Sequence, residues 1–222
     1  MSPSTVVVRL GEQSLVPLAR GGFRLYVYKA VRSSLTGGFP VPWASTGQYS
    51  TNTSIEWTEQ QYAYATTAPP GSGPPPPGGV DAKPVRAGQT LDVGPNAVTS
   101  VDPSQGYAGT IAVRNTTTTP FTCGLAQSVS LASGIAPVCA FPLYGKHIDL
   151  ITPLPAVALL FATLPVPLPT HTTAALGPAV LIDPAQTPVE LAYDINKGWT
   201  WTAPGIRDLS PADFATELIR PL

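Results

Sequence analysis

The sequence predicts an all-β protein, an antiparallel β-sandwich with jelly-roll-like architecture, and three observations support that prediction. Short runs rich in β-branched and aromatic residues recur between Gly, Pro and Asn residues along most of the chain. A clear helix signal occurs only near the C-terminus. The chain has 222 residues, of which 43% are hydrophobic, so it can bury a sizeable core. We therefore expect one β-sandwich domain covering residues 1–222.

Eight segments are predicted as strands because each is a short apolar run bounded by turn residues. They are Val6–Val8, Phe23–Val31, Ser54–Tyr64, Thr110–Arg114, Phe121–Val129, Ala156–Ala162, Ala179–Ile182 and Val189–Ile195. In the second segment, Phe23, Leu25, Val27 and Lys29 alternate with Arg24, Tyr26, Tyr28 and Ala30. Only the first of these sets is largely apolar, so we expect one face of this strand in the core and the other in solvent.

Two proline-rich stretches interrupt the strand pattern. Residues 68–84 are dominated by proline and glycine, which favours an exposed inserted loop over a packed element. The apolar stretch Leu150–Pro169 is long enough to cross a membrane as a helix, but its five prolines would break that helix. We expect Ala156–Ala162 to be a central strand whose flanks run as extended chain at a sheet edge.

A short C-terminal helix is predicted within residues 210–220. Ser210 is a suitable N-cap and Pro211 suits the first helical position. Phe214, Leu218 and Ile219 would then share one side of the helix. This apolar stripe would cover an end of the sandwich, with docking on another subunit as the alternative.

Charge is unusually scarce, since only 11% of the residues are charged and the formal net charge is −1. Such a surface does not attract phosphates, which argues against nucleic acid as a partner. It also provides little repulsion between copies, so we expect a homo-oligomer. The first residues lack the pattern of a signal peptide, which indicates a cytoplasmic protein. Cys123 and Cys139 are interpreted as two small buried residues, and a disulfide is the alternative if the protein is exported.

No catalytic centre is recognisable. The chain has no Gly-x-Ser-x-Gly, phosphate-loop or dinucleotide-binding motif, and its two histidines are His147 and His171. We therefore predict no catalytic residues, no cofactor and no metal site. A weak alternative is His147 with Asp149, which alternation on a strand would direct to one face. Carboxylate pairs drawn from Glu56, Glu190 and Asp194 are a further, less favoured alternative.

Aromatic side chains are the predicted ligand-binding residues because flat rings stack on sugars or on prolines. The candidates are Trp43, Tyr49, Tyr62, Tyr64 and Trp201. Trp43 is expected to be exposed, because it follows Pro42 and precedes a Ser/Thr/Gly-rich run. Trp57 and Trp199 are expected to fill the core.

Several short motifs are similar to those of the RhiA-like proteins, a family of bacterial and fungal β-proteins. They are Leu25-Tyr26-Val27-Tyr28, Val41-Pro42-Trp43, Ile55-Glu56-Trp57 with Tyr62-Ala63-Tyr64, and Asp194-Ile195-Asn196-Lys197-Gly198-Trp199. The tryptophan that the family carries after the second aromatic pair is replaced by Ala65-Thr66. The resemblance implies a cytosolic β-sandwich and supplies no catalytic residues.

Together these features favour a non-enzymatic binding or self-assembling protein, with a carbohydrate or a partner protein bound through aromatic and Thr-rich loops. One alternative is an enzyme of unrecognised type with a cleft near His147 and Asp149. The other is a membrane-active β-protein in which Leu150–Pro169 inserts into the bilayer.

Overall fold

The protein was analysed as a computed structural model, which describes residues 3–68, 81–163, 175–183 and 188–222. Its strands are β1 (Ser4–Leu10), β2 (Arg24–Ser33), β3 (Phe39–Pro40), β4 (Ala44–Thr46), β5 (Asn52–Trp57), β6 (Gln61–Thr66), β7 (Lys83–Val85), β8 (Thr90–Val93), β9 (Thr99–Asp102), β10 (Ile111–Asn115), β11 (Phe121–Ser128), β12 (Ile135–Pro137), β13 (Cys139–Leu143), β14 (Ile148–Ala162), β15 (Ala179–Ile182), β16 (Val189–Asp194), β17 (Gly198–Trp201), β18 (Ile206–Leu209) and β19 (Ile219–Pro221). Two α-helices, α1 (Glu12–Arg20) and α2 (Phe214–Leu218), and a short 3-10 helix at Pro95–Ala97 complete the described elements.

The strands form three sheets, which confirms the predicted all-β sandwich. A four-stranded sheet has the order β17-β16-β1-β5, and a six-stranded sheet has the order β3-β13-β11-β6-β7 with β12 beside β11. The largest sheet has nine strands in the order β18-β15-β14-β10-β8-β9, with β2 on β14, and with β4 and β19 on β2. Most pairs are antiparallel, as expected, but β1–β16, β8–β10 and β2–β19 are parallel.

Strand β2 is buried on both faces, so the expectation of one solvent-facing side is wrong. Leu25 and Val27 belong to the main core, which the three sheets enclose. Tyr26 and Tyr28 lie in a second core on the opposite side of the sheet. This second core consists of Tyr26, Tyr28, Ala30, Ala156, Ala158, Leu160, Ala162, Ala179, Leu181, Leu209, Phe214 and Leu218. A layer of chain that includes α2 therefore covers what the alternation predicted to be the outer face.

Strand β14 is longer than predicted and lies in the middle of its sheet. It begins at Ile148 and pairs with β10, β2 and β15, so the segment before Ala156 is not extended chain at a sheet edge. Residues 164–174, which include the rest of the proline-rich stretch and His171, lie outside the described residues. Among the residues that are described, no helix has the length and apolar character needed to cross a bilayer.

The prolines of β14 leave a bulge in its ladder with β2. Pro153 is paired with Val31 and Val157 with Lys29, so three residues of β14 face one residue of β2. Proline has no N–H to donate, which explains why regular pairing stops at Pro153 and resumes only after Pro155. The irregularity bends the strand locally and opens the sheet beside Lys29.

The proline- and glycine-rich segment is only partly described. Residues 69–80 of the predicted loop lie outside the described residues, while Lys83 and Pro84 belong to strand β7. The expectation that the whole of 68–84 forms a loop is therefore wrong at its C-terminal end, because Ala63 and Lys83 are paired between β6 and β7.

The C-terminal helix is confirmed and is shorter than predicted. It spans Phe214–Leu218 with Asp213 as its N-cap, so the prediction of Ser210 as N-cap and Pro211 at the first helical position is wrong. Ser210 lies in the preceding turn, where its hydroxyl accepts a hydrogen bond from the Asp213 N–H at 3.2 Å. Phe214 and Leu218 are fully buried in the second core, so the apolar stripe packs within the chain. Ile219 starts β19 instead of continuing the helix.

Helix α1 was not predicted. Its nine residues include Pro17, and Glu12 and Arg20 occupy the first and last turns, where these charges suit the helix dipole. The apolar pattern of this helix is weak, because Leu18 is the one apolar side chain of α1 that is fully buried.

We expect Phe214→Ala to lower the free energy of unfolding by about 3–5 kcal/mol, because it leaves a cavity in the second core. The Phe214 ring contacts the Tyr28 ring edge to face at a centroid distance of 4.9 Å. Urea unfolding measures the change, and the exposed Val16→Ala in α1 is the control. An effect no larger than that of the control would show that α2 does not pack on β2.

Candidate functional site

Lys29 is a charged side chain inside the main core. It lies on β2 in the same alternation as Leu25 and Val27, and only 3% of its surface is exposed. Its Nζ atom lies 5.2 Å from the ring centroid of Trp43 and 5.0 Å from that of Trp57. Indole faces attract cations at this distance, so the two tryptophans hold the ammonium group.

Trp43 is fixed in the core by backbone and side-chain hydrogen bonds. Its N–H donates to the Val27 carbonyl at 2.8 Å, and its Nε1 donates to the Gln127 carbonyl at 2.9 Å. Its ring meets that of Trp57 edge to face at 5.7 Å. Trp43 is only 1% exposed, so the expectation of an exposed ring is wrong. The residue directly precedes β4, whose pairing with β2 carries the ring over the core.

Burial lowers the pKa of Lys29 to about 8, and the carboxylate of Glu59 partly opposes this effect. Within the described part of the chain, Nζ has no carboxylate at salt-bridge distance and no hydrogen-bond acceptor. At pH 7 the amine is mostly protonated, so the core contains a cation whose close partners among the described residues are the two indole rings.

A cleft of about 220 Å³ leads from the surface to Lys29. We call it the Lys29 cleft; it is lined by Ser4, Lys29, Trp57, Glu59, Gln61, Pro153, Leu154 and Pro155. The bulge of β14 contributes Pro153, Leu154 and Pro155 to the lining, and the turn between β5 and β6 contributes Glu59. The sheet irregularity caused by the prolines therefore exposes the buried amine to the cleft.

Gln61 contributes a second polar group to this cleft. Its side chain is only 8% exposed, and its Nε2 makes a long hydrogen bond of 3.4 Å to the Glu59 carbonyl. Its Oε1 is buried without a hydrogen-bond partner in the described structure. An unsatisfied buried amide oxygen costs about 1–3 kcal/mol. Among the described residues, the lining of the Lys29 cleft thus includes a donor, Lys29, and a residue with a buried acceptor, Gln61, that lack partners.

The predicted ligand-binding tyrosines do not form one platform. Tyr64 is fully buried, and its hydroxyl donates to the Cys139 carbonyl at 2.8 Å. Tyr49 is half-buried, with its hydroxyl donating to the Phe23 carbonyl at 3.2 Å and its ring against Phe161. Tyr62 is partly exposed on β6 and pairs with Pro84 of β7.

Trp201, another predicted binding residue, lines a shallow surface groove. The groove has a volume of about 270 Å³ and also includes Arg9, Glu190 and Thr200. Arg9 and Glu190 form an exposed ion pair of 2.5 Å across β1 and β16. Trp199, by contrast, is buried, as predicted, and stacks on Phe161 at 5.7 Å.

His147 and Asp149 do not face the same site, so the predicted shared face is wrong. His147 is exposed in the turn before β14, with its Nδ1 2.8 Å from the Gly145 carbonyl oxygen. Asp149 is fully buried, and its Oδ1 accepts hydrogen bonds from the Ser33 and Ser34 hydroxyls at 2.9 and 3.1 Å. Its Oδ2 has no partner in the described structure, and burial raises the pKa of Asp149 to about 6.

The other carboxylate candidates also lie apart from a common centre. Glu190 pairs with Arg9, and Asp194 accepts hydrogen bonds from the N–H groups of Asn196 and Lys197 in the turn after β16. Glu56 is exposed on β5. In the part of the chain that the structure describes, no three His, Cys, Asp or Glu side chains converge as metal ligands would.

Cys123 and Cys139 are fully buried free thiols, as the favoured interpretation of the sequence had it. They lie on neighbouring strands, but Cys123 is paired with Phe141, so the two are not opposite each other. Burial raises the pKa of the Cys139 thiol to about 12 and that of Cys123 well above its usual value. Neither thiol is therefore an activated nucleophile.

Comparison of the chain with protein-family models, with curated proteins and with solved structures found no match.

Lys29 and Gln61 are the polar residues that the sequence analysis missed. A usable signal existed for Lys29, because it occupies an apolar position in the alternation of Phe23, Leu25 and Val27. A lysine at a core position costs stability unless something compensates its charge. Gln61 had no such signal, since its burial results from tertiary packing that local sequence does not contain.

We expect Lys29→Met to raise the free energy of unfolding by about 2–3 kcal/mol at pH 7, because the native state holds a desolvated ammonium group. The folded pKa of Lys29, about 8, lies below its ordinary value of 10.5, so the unfolded chain binds the proton more tightly. The penalty is complete below pH 8 and disappears as the pH rises towards 10.5. Denaturant unfolding at pH 7 and pH 9.5 measures this, with the exposed Lys197→Met as control. A destabilised Lys29→Met at both pH values would mean that the indole contacts outweigh the desolvation.

Asp149 gives the opposite dependence on pH. Its folded pKa of about 6 lies above the ordinary value of 3.8, so its neutral form is favoured in the native state. Below about pH 4 the group is neutral in both the folded and the unfolded chain, so it does not destabilise the fold. As the pH rises from about 4 to 6, the unfolded chain ionises first and the free energy of unfolding falls. Relative to Asp149→Asn, we expect the wild type to lose about 3 kcal/mol between pH 4 and pH 7.5. Urea titrations at both pH values test this, with the exposed Asp208→Asn as control; parallel pH profiles for wild type and Asp149→Asn would refute it.

Proposed function

We propose that the protein is a non-enzymatic binding protein whose ligand occupies the Lys29 cleft. The observation that carries the proposal is a buried, unpaired lysine at the inner end of an open cleft, beside an amide oxygen without a partner. A protein that needed only a stable core would replace this lysine with an apolar residue. Costly polar groups are retained mainly where they contact a ligand.

The composition of the cleft favours binding over catalysis. Its ionisable side chains are Lys29 and Glu59, and its hydroxyl comes from Ser4. Acid–base or nucleophilic chemistry requires a reacting group held by a base or an orienting partner. Burial lowers the pKa of the Lys29 amine to about 8, so at pH 7 most of it is still protonated between the two indole faces and is not a nucleophile in that form.

A carbohydrate is a second candidate ligand, at a different place. The groove beside Trp201 combines a partly exposed indole with the Arg9–Glu190 pair and the hydroxyl of Thr200. Rings flanked by hydrogen-bonding side chains suit sugar hydroxyls and C–H faces. This candidate retains Trp201 from the predicted aromatic set.

Three expectations from the sequence remain predictions. They are self-association, which the low charge favours, a cytoplasmic location, and a relation to the RhiA-like proteins, which short motifs suggest. Binding of a ligand in the Lys29 cleft is compatible with each of them.

Binding in the cleft can be tested with a mixed fragment library and a label on lysine. The chain has four lysines, so ¹³C labelling at Cε gives few signals, and Lys29→Met assigns the one of interest. We expect some fragments to shift the Lys29 signal selectively. Pro155→Trp, at the exposed rim of the cleft, should abolish those shifts, whereas Val98→Trp, at an exposed residue outside the cleft lining, should not. If no fragment shifts Lys29 selectively, the cleft is not a binding site.

A further inference from the structure

We propose that the Lys29 cleft binds a small carboxylate whose neighbouring carbon carries a hydrogen-bond donor, either a hydroxyl or an ammonium group. This proposal rests on the proposed binding function and names the class of ligand for the same site. Three features of the cleft lead to it, namely its unpaired cation, its unpaired acceptor and its apolar wall.

The ammonium group of Lys29 favours a ligand that carries a negative group. Two sides of the Lys29 ammonium group are occupied by the faces of Trp43 and Trp57, so the cleft is the open side from which a counter-ion can approach. A carboxylate there would form a charge-assisted hydrogen bond with a group that has already lost its water. Because the amine is desolvated before binding, part of the usual cost of forming a buried ion pair is already included in the folded state.

The amide oxygen of Gln61 favours a ligand that carries a hydrogen-bond donor. Its Oε1 lacks a partner, and the exposed carboxylate of Glu59 lies in the same lining. These two acceptors suit a hydroxyl or ammonium group on the ligand and disfavour a second negative charge. A ligand with a carboxylate at Lys29 and a donor on the neighbouring carbon presents both groups within the small cleft whose lining includes Gln61 and Glu59. This argues against inorganic phosphate, which presents acceptor oxygens and, near pH 7, up to two negative charges.

The remaining wall limits the size and polarity of the ligand. Pro153, Leu154 and Pro155 of the β14 bulge provide aliphatic surface, and a volume of about 220 Å³ is small for a ligand site. The rest of the molecule is therefore short and aliphatic. A sugar ring is disfavoured here because the face of Trp57, on which it would stack, is already covered by Lys29.

A matched series of three-carbon probes tests the inference. Propionate has the carboxylate alone, lactate adds a hydroxyl, alanine adds an ammonium group, and alaninamide lacks the carboxylate; inorganic phosphate is the fifth probe. Affinity is measured by titration of the Lys29 Cε signal. We expect lactate or alanine to bind at least ~5-fold more tightly than propionate, with alaninamide and phosphate at least ~10-fold weaker than the better of the two. Whichever of lactate and alanine binds better identifies the donor.

Two variants connect these affinities to the named groups. Lys29→Met, followed through the indole fluorescence of the protein, should abolish binding of every carboxylate, while Lys197→Met should leave it unchanged. Gln61→Leu should retain propionate binding and reduce the advantage of lactate or alanine over propionate to less than ~2-fold. A bound carboxylate should also raise the pKa of Lys29, seen as a shift of its Cε titration towards higher pH.

The outcomes distinguish this inference from the binding function on which it rests. Equal binding of alanine and alaninamide, or tightest binding of phosphate, would overturn the ligand class while leaving the cleft as a binding site. Equal binding of propionate and the better of lactate and alanine would overturn the role of Gln61. If none of the five probes binds but other library fragments shift the Lys29 signal, the carboxylate inference fails alone. If no fragment at all shifts it, both proposals fail.

Discussion

The pairing of β2 with β14 is the interaction on which the other features depend. These two central strands separate the main core from the second core, and residues on both faces of β2 are buried as a result. Where Pro153 and Pro155 interrupt the pairing, the sheet opens instead of closing over Lys29. The same ladder that stabilises the protein therefore also determines where solvent reaches its interior.

Lys29 shows how opposing energies are balanced at the inner end of this opening. Desolvation disfavours its charge, while the quadrupoles of two indole rings and the distant carboxylate of Glu59 favour it. Tryptophan side chains often fill protein cores, and Trp43 and Trp57 do so here. Their arrangement gives them a second effect, because the edge-to-face contact leaves a ring face of each for the ammonium group.

Alternation of apolar residues was enough to predict the class of fold and the approximate positions of the main strands. It failed on the second face of β2, because Tyr26 and Tyr28 pattern like surface residues until Phe214, nearly two hundred positions later, covers them. The residues of the candidate site were harder to predict than the strands. Trp43 follows proline and precedes small polar residues, a local context of exposed loops, yet its burial is set by hydrogen bonds to Val27 and Gln127. Such contacts depend on sheet order, which local patterns do not contain.

The two thiols have a practical consequence for studying the protein. Both cysteines of the chain are fully buried, and the pKa of each is raised, so neither forms the thiolate that attacks maleimides or iodoacetamides at neutral pH. The native chain thus behaves towards such reagents as a cysteine-free scaffold. A cysteine introduced at the rim of the cleft, at Pro155, would react alone and would carry a fluorophore to the entrance, converting the protein into a reagentless optical sensor for whatever enters.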